Sequence, residues 1–205
     1  MKIIFNNEHI NEFDDLFVTK INNPSVVVSE GKFVLKSNPK TDFFVSPDDK
    51  YKANNAPLAL FEVSNEKPFC FSASISPNFG STYDAGALFI YEADDAWLKL
   101  AFEIDELNKT RIVSVNTRGY SDDCNHEKID DKSVFLKIAS DTNLVGCYYS
   151  LNGTDWKLAR IFKNKFSEKI LMGLTSQSPI GEGCDTAIDS IKFSYETLTN
   201  YRLGV

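Results

Sequence analysis

The segment that decides the fold is Trp97–Ile104, which reads Trp-Leu-Lys-Leu-Ala-Phe-Glu-Ile. Successive side chains of a β-strand point to opposite faces. One face of this strand therefore carries only apolar side chains and is expected between two sheets: Leu98, Leu100, Phe102 and Ile104. The other face combines an aromatic ring, a cation, a small residue and an acid: Trp97, Lys99, Ala101 and Glu103. Such an outward face suits either a groove for a polar ligand or an ordinary solvent-exposed sheet surface.

Short apolar or alternating segments of the same kind recur along the whole chain. Further strands are predicted at 26–28, 32–35, 58–63, 69–75, 85–91, 111–117, 134–139, 145–151, 156–162, 170–175 and 186–195. About a dozen strands at short spacing predict an all-β fold, a two-sheet antiparallel jelly-roll sandwich. With no repeat or linker, we expect one domain over residues 1–205. Helical turns are expected only in Ser46–Asn54.

Composition and charge exclude several classes of partner. The chain has 205 residues, 22 Lys plus Arg against 29 Asp plus Glu, and a formal net charge of −7. This acidic balance argues against a nucleic-acid partner, because binding to phosphates requires a basic face. No segment has the roughly 18 apolar residues of a membrane helix, and MKIIFNNEHI lacks the features of a signal peptide. We therefore expect no membrane partner and a cytoplasmic location.

The cysteines and histidines give no sign of a metal site or a catalytic triad. Of the four cysteines, Cys70 and Cys147 lie in apolar segments, whereas Cys124 and Cys184 lie in polar stretches expected to form loops. None forms a CxxC pair, so a zinc site is not expected. The two histidines, His9 and His126, belong to no motif with Ser or Cys. No metal and no cofactor are predicted.

Several motifs in the same order resemble the domain-of-unknown-function 1349 family. They are TDFF at 41–44, YDAGALFI at 83–90, AWLKLAFE at 96–103, VNTRGYSD at 115–122, YYSLNGTDW at 148–156 and MGLTSQSPIGEG at 172–183. The resemblance implies a concanavalin A-like lectin/glucanase jelly roll in which one of two curved sheets has an open concave face. It also implies an association with the regulation of enolase, which specifies no chemistry.

The resemblance also assigns candidate site residues. The recurrent polar positions of the family correspond to Asp84, Trp97, Lys99, Glu103, Thr117, Arg118, Ser121, Asp122 and Glu182. We add Tyr149 and Gln177 as expected ligand-binding residues of the concave face. Two positions depart from the family pattern, because Phe44 and Asp123 stand where tryptophan is usual. If those rings form a sugar platform in relatives, part of it is missing here.

The charged candidates allow more than one interpretation. Glu103 and Arg118 are expected to pair on the concave face, where they would either bind a sugar or small acid or satisfy each other as a structural bridge. Asp84 suits a turn cap as well as a ligand site. Asp122 is expected in an acidic turn with a weak resemblance to a calcium loop. Glu182, between two glycines, is expected at the rim of the groove.

Three functions remain open from the sequence. The first is a non-catalytic module that binds a carbohydrate or small polar metabolite, tied to the regulation of carbon metabolism, with Trp97 stacking on the ligand. The second is a regulatory domain that binds a protein partner. The third is a glycoside hydrolase with Glu103 as a catalytic carboxylate. Retaining hydrolysis needs two carboxylates about 5 Å apart, and in Glu103-Ile-Asp-Glu106 the residue Glu106 has the wrong parity to share the strand face of Glu103.

Overall fold

The computed structural model describes residues 2–4 and 10–205, with side chains from residue 13 onward, and its regular secondary structure is almost entirely β-strand. One helix is described, α1 (Ile10–Leu16). The strands are β1 (Lys2–Ile4), β2 (Thr19–Ile21), β3 (Ser25–Ser29), β4 (Lys32–Lys36), β5 (Phe43–Val45), β6 (Lys52–Asn54), β7 (Leu58–Ser64), β8 (Phe69–Pro77), β9 (Ala85–Ala93), β10 (Ala96–Ile104), β11 (Thr110–Arg118), β12 (Tyr120–Lys128), β13 (Val134–Ser140), β14 (Leu144–Ser150), β15 (Lys157–Lys163), β16 (Lys169–Gln177) and β17 (Asp185–Ser194).

The strands form two large antiparallel sheets and one small hairpin. One sheet has the order β15-β14-β13-β8-β17-β4-β3, with β1 paired to β17. The other has seven strands in the order β12-β11-β10-β9-β16-β7-β2. Within the described part of the chain every registered strand pair is antiparallel, and β5 pairs there with β6 alone. This confirms the predicted two-sheet antiparallel sandwich. Among the described residues, no helix has the length and apolarity needed to span a bilayer.

The main core lies between the two sheets and contains the apolar face of β10. Leu98, Leu100 and Phe102 are fully buried there. They pack with apolar side chains from the opposite sheet, including Ile138 of β13. The alternation in the sequence therefore predicted this face correctly.

A second core covers the other face of the seven-stranded sheet, here called the outer face. Trp97 and Ala101 of β10 belong to it, together with Phe89 of β9 and Phe43 of β5. The rings of Phe43 and Trp97 meet edge to face with centroids 5.8 Å apart. The β5–β6 hairpin therefore lies on the outer face, so the part of this face around Trp97 is not open.

Two local predictions are wrong. Ser46–Asn54 was expected to form helical turns, but it holds a non-helical turn followed by β6. The acidic stretch around Asp122 was expected to be a turn, but it lies within the edge strand β12. In both places the sequence is polar and lacks alternation, because edge and hairpin strands bury few side chains. The helix α1 was not predicted at all.

Candidate functional site

A cavity of about 460 Å³ opens on the outer face, beside the β5–β6 hairpin. It is lined by strands β10 and β11, by β12, by the hairpin, and by the loops before β9 and after β16. The lining residues are Asp42, Phe44, Tyr51, Tyr83, Lys99, Glu103, Glu106, Val113, Val115, Asp123, Asn125, Gln177, Pro179 and Ile180. The volume lies within the usual range of small-molecule sites, roughly 300–1,000 Å³.

Glu103 is an acidic residue of the cavity that is buried and yet lacks hydrogen-bond donors in the described part of the chain. Its side chain is only 8% exposed, and none of the described residues donates a hydrogen bond to its carboxyl group. Burial raises the pKa of Glu103 to about 8, against the pull of Lys99 and with the added repulsion of Asp42, Asp123 and Glu106. The carboxyl is therefore largely protonated at neutral pH, when it both donates and accepts hydrogen bonds.

Lys99 is buried and fully paired. Its ammonium group lies 3.3 Å from the Asp42 carboxylate, 2.9 Å from the backbone oxygen of Phe43 and 2.8 Å from Oε1 of Gln177. An ammonium group has three N–H donors, so these three acceptors use all of them. Lys99 and Gln177 therefore line the cavity, and Lys99 also attaches the hairpin to the sheet there.

Two tyrosines and an isoleucine form the exposed rim of the cavity. Tyr51, Tyr83 and Ile180 each expose more than a third of their surface. Tyr83 has a left-handed backbone with φ 69°, which is uncommon for an aromatic residue. The side-chain amide of Gln177 donates to the backbone oxygen of Tyr83 at 3.2 Å, and the backbone N–H of Tyr83 donates to the backbone oxygen of Ile104 at 2.7 Å. The side chain of Tyr83 is thus held at the opening.

Trp97 does not line the cavity, which corrects its predicted role. The ring is completely buried between Phe43 and Phe89, stacked on Phe89 with centroids 5.4 Å apart. Its indole N–H has no hydrogen-bond partner among the described residues. A ligand has no access to this ring, because the β5–β6 hairpin covers it. The alternation of side chains along a single strand does not reveal which distant segment covers a sheet face.

The predicted pair between Glu103 and Arg118 does not form. In the antiparallel register of β10 and β11, Glu103 lies opposite Arg111, and Arg118 lies opposite Ala96 at the other end of the strand. Arg118 instead binds the Glu92 carboxylate at 2.7 Å and covers the ring of Phe166 at 4.7 Å. The register excludes the pair in two ways: Arg118 lies far from Glu103 along the strands, and it shares the sheet face of Ala96, which is opposite to the face of Glu103.

Asp84 and Asp122 also lie outside the cavity. Asp84 is fully buried and accepts hydrogen bonds from the backbone of Gly80 and Ser81 and from the hydroxyl of Ser178. It therefore closes a loop, which was one of the two interpretations of the sequence. Asp122 is exposed and pairs with Arg160 at 2.5 Å.

The other predicted residues lie in structural roles or on the surface. Tyr149 is on β14 of the opposite sheet, packs in the main core and donates to Glu127, so its placement on the ligand face was wrong. Glu182 is exposed and does not line the cavity. Thr117 and Ser121 share a hydrogen bond at 2.8 Å, and the Ser121 hydroxyl accepts from the backbone of the hairpin.

The sequence analysis missed several cavity residues, although a signal was present for two of them. Phe44 and Asp123 are the positions at which the sequence departs from the family pattern, and both line the cavity. Asp42, which belongs to the same 41–44 motif as Phe44, forms an ion pair with Lys99. Glu106 was set aside on parity, yet it lines the same cavity as Glu103 because the chain leaves the strand after Ile104. Parity does not apply beyond a strand end.

The remaining reactive side chains do not form a second site. Over the described part of the chain, no three His, Cys, Asp or Glu residues are grouped as a metal would require. His126 lies 2.8 Å from the hydroxyl of Ser114, but that hydroxyl is fully buried. Cys184 is buried and Cys124 lies exposed on β12. His9 lies outside the described residues.

The match to a sequence family covers most of the chain. The family model described as "Protein of unknown function (DUF1349)" matches residues 21–196. The chain belongs to this family. No curated protein matches the chain in sequence.

Solved structures show the same fold in this DUF1349 member and in proteins of several kinds. A functionally unknown protein from Saccharomyces cerevisiae is 21% identical with a TM-score of 0.80, over 88% of this chain and 97% of that one. The GH43 BlXynB protein from Bacillus licheniformis is 15% identical with a TM-score of 0.65, over 86% of this chain and 35% of that one. Metal-free lectin I-B4 from Griffonia simplicifolia is 14% identical with a TM-score of 0.60, over 95% and 98%. The concanavalin A-like fold is thereby confirmed.

Proposed function

We propose that this protein is a binding module that takes up a carbohydrate or another small polar molecule in the cavity beside the β5–β6 hairpin. The observation that carries the proposal is Glu103, a buried carboxyl group that faces a cavity and has no hydrogen-bond partner among the described residues. Buried polar groups in folded proteins are nearly always paired. The Glu103 carboxyl opens on a cavity of suitable size, so a ligand with a hydrogen-bond donor can supply the partner that the described residues do not.

The composition of the cavity fits a ligand with both hydroxyl groups and apolar faces. Tyr51 and Tyr83 present exposed rings at the rim, and Phe44 adds a third aromatic side chain. Aromatic rings pack against the C–H faces of a sugar, while a few placed polar groups fix its orientation. The lectin with the same fold supports a carbohydrate ligand through the fold alone.

A test of binding needs variants that alter the cavity without disturbing the hairpin. We expect Tyr51→Ala and Tyr83→Ala to remove the stabilisation that a bound ligand gives in a thermal-shift screen of soluble glycans and metabolites. Tyr120→Ala is the matched control, because Tyr120 is also an exposed tyrosine and bonds to Asp49 of the hairpin turn at 2.9 Å but does not line the cavity, so it reports any effect of a disturbed hairpin alone. A ligand that stabilises all three variants as well as the unaltered protein would place the site elsewhere. A screen without any hit would contradict the proposal.

A glycoside hydrolase is the second candidate, and one observation favours it. Glu103 shares the cavity with Glu106 and Asp123, so a second carboxylate is available that the sequence pattern had excluded. A carboxyl with a raised pKa beside an ionised one is the usual arrangement of acid and partner in these enzymes. Release of reducing ends from an oligosaccharide panel, lost in Glu103→Gln, would support it. If a glycan binds but no reducing ends are released, the hydrolase is excluded and the binding module remains.

The remaining parts of the functional hypothesis are predictions from the sequence and the family resemblance. They are a cytoplasmic location, a role in the regulation of carbon metabolism and binding to a protein partner. A pull-down from cell extract, repeated with Tyr51→Ala, tests the last of these. A specific partner that still binds the variant would favour a protein interface away from the cavity.

A further inference from the structure

The charges that line the cavity are strongly unbalanced. Among the described residues that line it, four are acidic, namely Asp42, Glu103, Glu106 and Asp123, and one is a cation, Lys99. The mutual repulsion of these acids contributes to the raised pKa of Glu103. A cavity with this lining attracts cations and repels anions, since a concave site with low-dielectric walls concentrates the field of its charges.

The only cation of the lining is not free to receive an anionic ligand. All three N–H groups of Lys99 already have acceptors, in Asp42, Phe43 and Gln177. An acidic ligand at Lys99 would have to displace one of these bonds and would meet Glu103 and Glu106 at the same time. The cavity is therefore unsuited to phosphorylated sugars and to carboxylic acids.

Glu103 provides the independent indication of a ligand. The residue is more than nine-tenths buried, and its carboxyl opens on the cavity without a hydrogen-bond partner among the described residues. A buried carboxylate is stable only when it is paired with a cation and hydrogen-bonded. The aromatic rings of Phe44, Tyr51 and Tyr83 on the same cavity add faces that attract a cation.

We infer that the ligand of this cavity carries a protonated amine, as an amino sugar does, and that the amine binds at Glu103 with Glu106 and Asp123 nearby. The inference rests on the proposed function, because it concerns the same cavity, and it narrows the class of ligand. Without a ligand the Glu103 carboxyl is largely protonated at neutral pH, but a neighbouring ammonium group favours its ionised form. The ammonium group would then give Glu103 the charged hydrogen-bond donor that the described residues do not supply. Charge-assisted hydrogen bonds of this type are roughly twice as strong as neutral ones.

The test compares sugars that differ in one substituent. β-1,4-linked oligomers of glucosamine, of N-acetylglucosamine and of glucose share a backbone and differ only at C2, where the amine is protonated, acetylated or replaced by a hydroxyl. We expect the glucosamine oligomer to bind at least about tenfold more tightly than the other two in isothermal titration calorimetry. The measurements are made at about 0.15 M salt, where attraction to the distant charges of an acidic protein is screened.

Variants distinguish the cavity from general attraction between a cation and an acidic protein. Glu103→Gln keeps the size of the side chain and removes the charge, so the preference for the glucosamine oligomer should fall to within about threefold. Glu62→Gln is the matched control, because Glu62 is an exposed glutamate on β7 of the same sheet and lies outside the cavity. It should retain the full preference. If both variants lose the preference for the glucosamine oligomer equally, the preference reflects the net charge of the protein, and the inference is overturned.

The remaining outcomes separate the inference from the function on which it rests. Equal binding of all three oligomers, or tighter binding of a neutral one, would overturn the inference and leave a sugar-binding module. Binding of spermidine but of no oligomer, lost in Glu103→Gln, would overturn the carbohydrate function and support the amine site. Absence of binding by the oligomers and by spermidine would overturn both.

Discussion

The ammonium group of Lys99 lies 2.9 Å from the backbone oxygen of Phe43, so a side chain in the middle of β10 fastens the hairpin that covers the sheet. The same ammonium pairs with Asp42 at 3.3 Å, and both side chains are at least nine-tenths buried. Removing one partner of a buried ion pair leaves an uncompensated charge in a low-dielectric surrounding. This lysine therefore holds the hairpin over the sheet together with the packing of Phe43 against Trp97 and Phe89.

We expect Lys99→Met to lower the free energy of unfolding by about 3–5 kcal/mol, measured by urea denaturation. The control is Lys20→Met, which removes an exposed pair with Asp14 at 2.6 Å and should cost at most about 1 kcal/mol. Adding Asp42→Asn to Lys99→Met should recover part of the loss, since the unpaired charge is then gone. If both lysine substitutions lower the free energy of unfolding by equally small amounts, Lys99 does not hold the hairpin on the sheet.

The raised pKa of Glu103 predicts how stability depends on pH. The pKa is about 8 in the folded protein against an ordinary value of 4.5. Between these values the native state binds more protons than the unfolded state, so stability falls as the pH rises. The loss of folding stability caused by ionising the buried Glu103 is complete above pH 8 and vanishes below pH 4.5. Each pH unit in this window corresponds to about 1.4 kcal/mol at most.

Glu103→Gln should therefore stabilise the protein by at least about 1 kcal/mol at pH 8 and have little effect near pH 4.5. The free energy of unfolding, followed from pH 4 to pH 9, measures this. Glu62→Gln is again the matched control, since its carboxylate is exposed on the same sheet. A stability difference that stays constant across the pH range would mean that Glu103 does not titrate within it.

Arg118 should have no role in ligand binding, contrary to the expectation from the sequence. It pairs with Glu92 at the end of β11 away from Glu103. Arg118→Ala is expected to leave ligand affinity within about twofold and to cost about 1 kcal/mol of stability or less. Calorimetry with the ligand found in the glycan screen measures the affinity. A loss of affinity similar to that of Tyr83→Ala would restore Arg118 to the site.

The sequence predicted those features that repeat locally along one strand. Leu98, Leu100 and Phe102 of β10 were assigned to the core correctly because alternation reports which side chains are buried together. Of the predicted outward face of β10, Lys99 and Glu103 line the cavity; their role in ligand binding stays a prediction.

The features that failed depend on contacts between distant segments. The mismatch of Glu103 and Arg118 follows from strand register, which parity alone does not determine. The burial of Trp97 follows from Phe43, more than fifty residues earlier in the chain. Asp123 and Glu106 enter the cavity from an edge strand and a turn, where hydrophobic periodicity carries no information.

Tryptophan fluorescence tests the covered position of Trp97 directly. The protein has two tryptophans, Trp97, which is fully buried, and Trp156, which is half-buried over Lys137. In Trp156→Phe, the remaining emission of Trp97 should be blue-shifted and resist quenching by acrylamide, because its ring is enclosed by Phe43 and Phe89. In the matched variant Trp97→Phe, the emission of Trp156 should be quenched more readily. Stronger quenching of Trp97 than of Trp156 would show that the hairpin does not cover the ring, and a ligand could then stack on it.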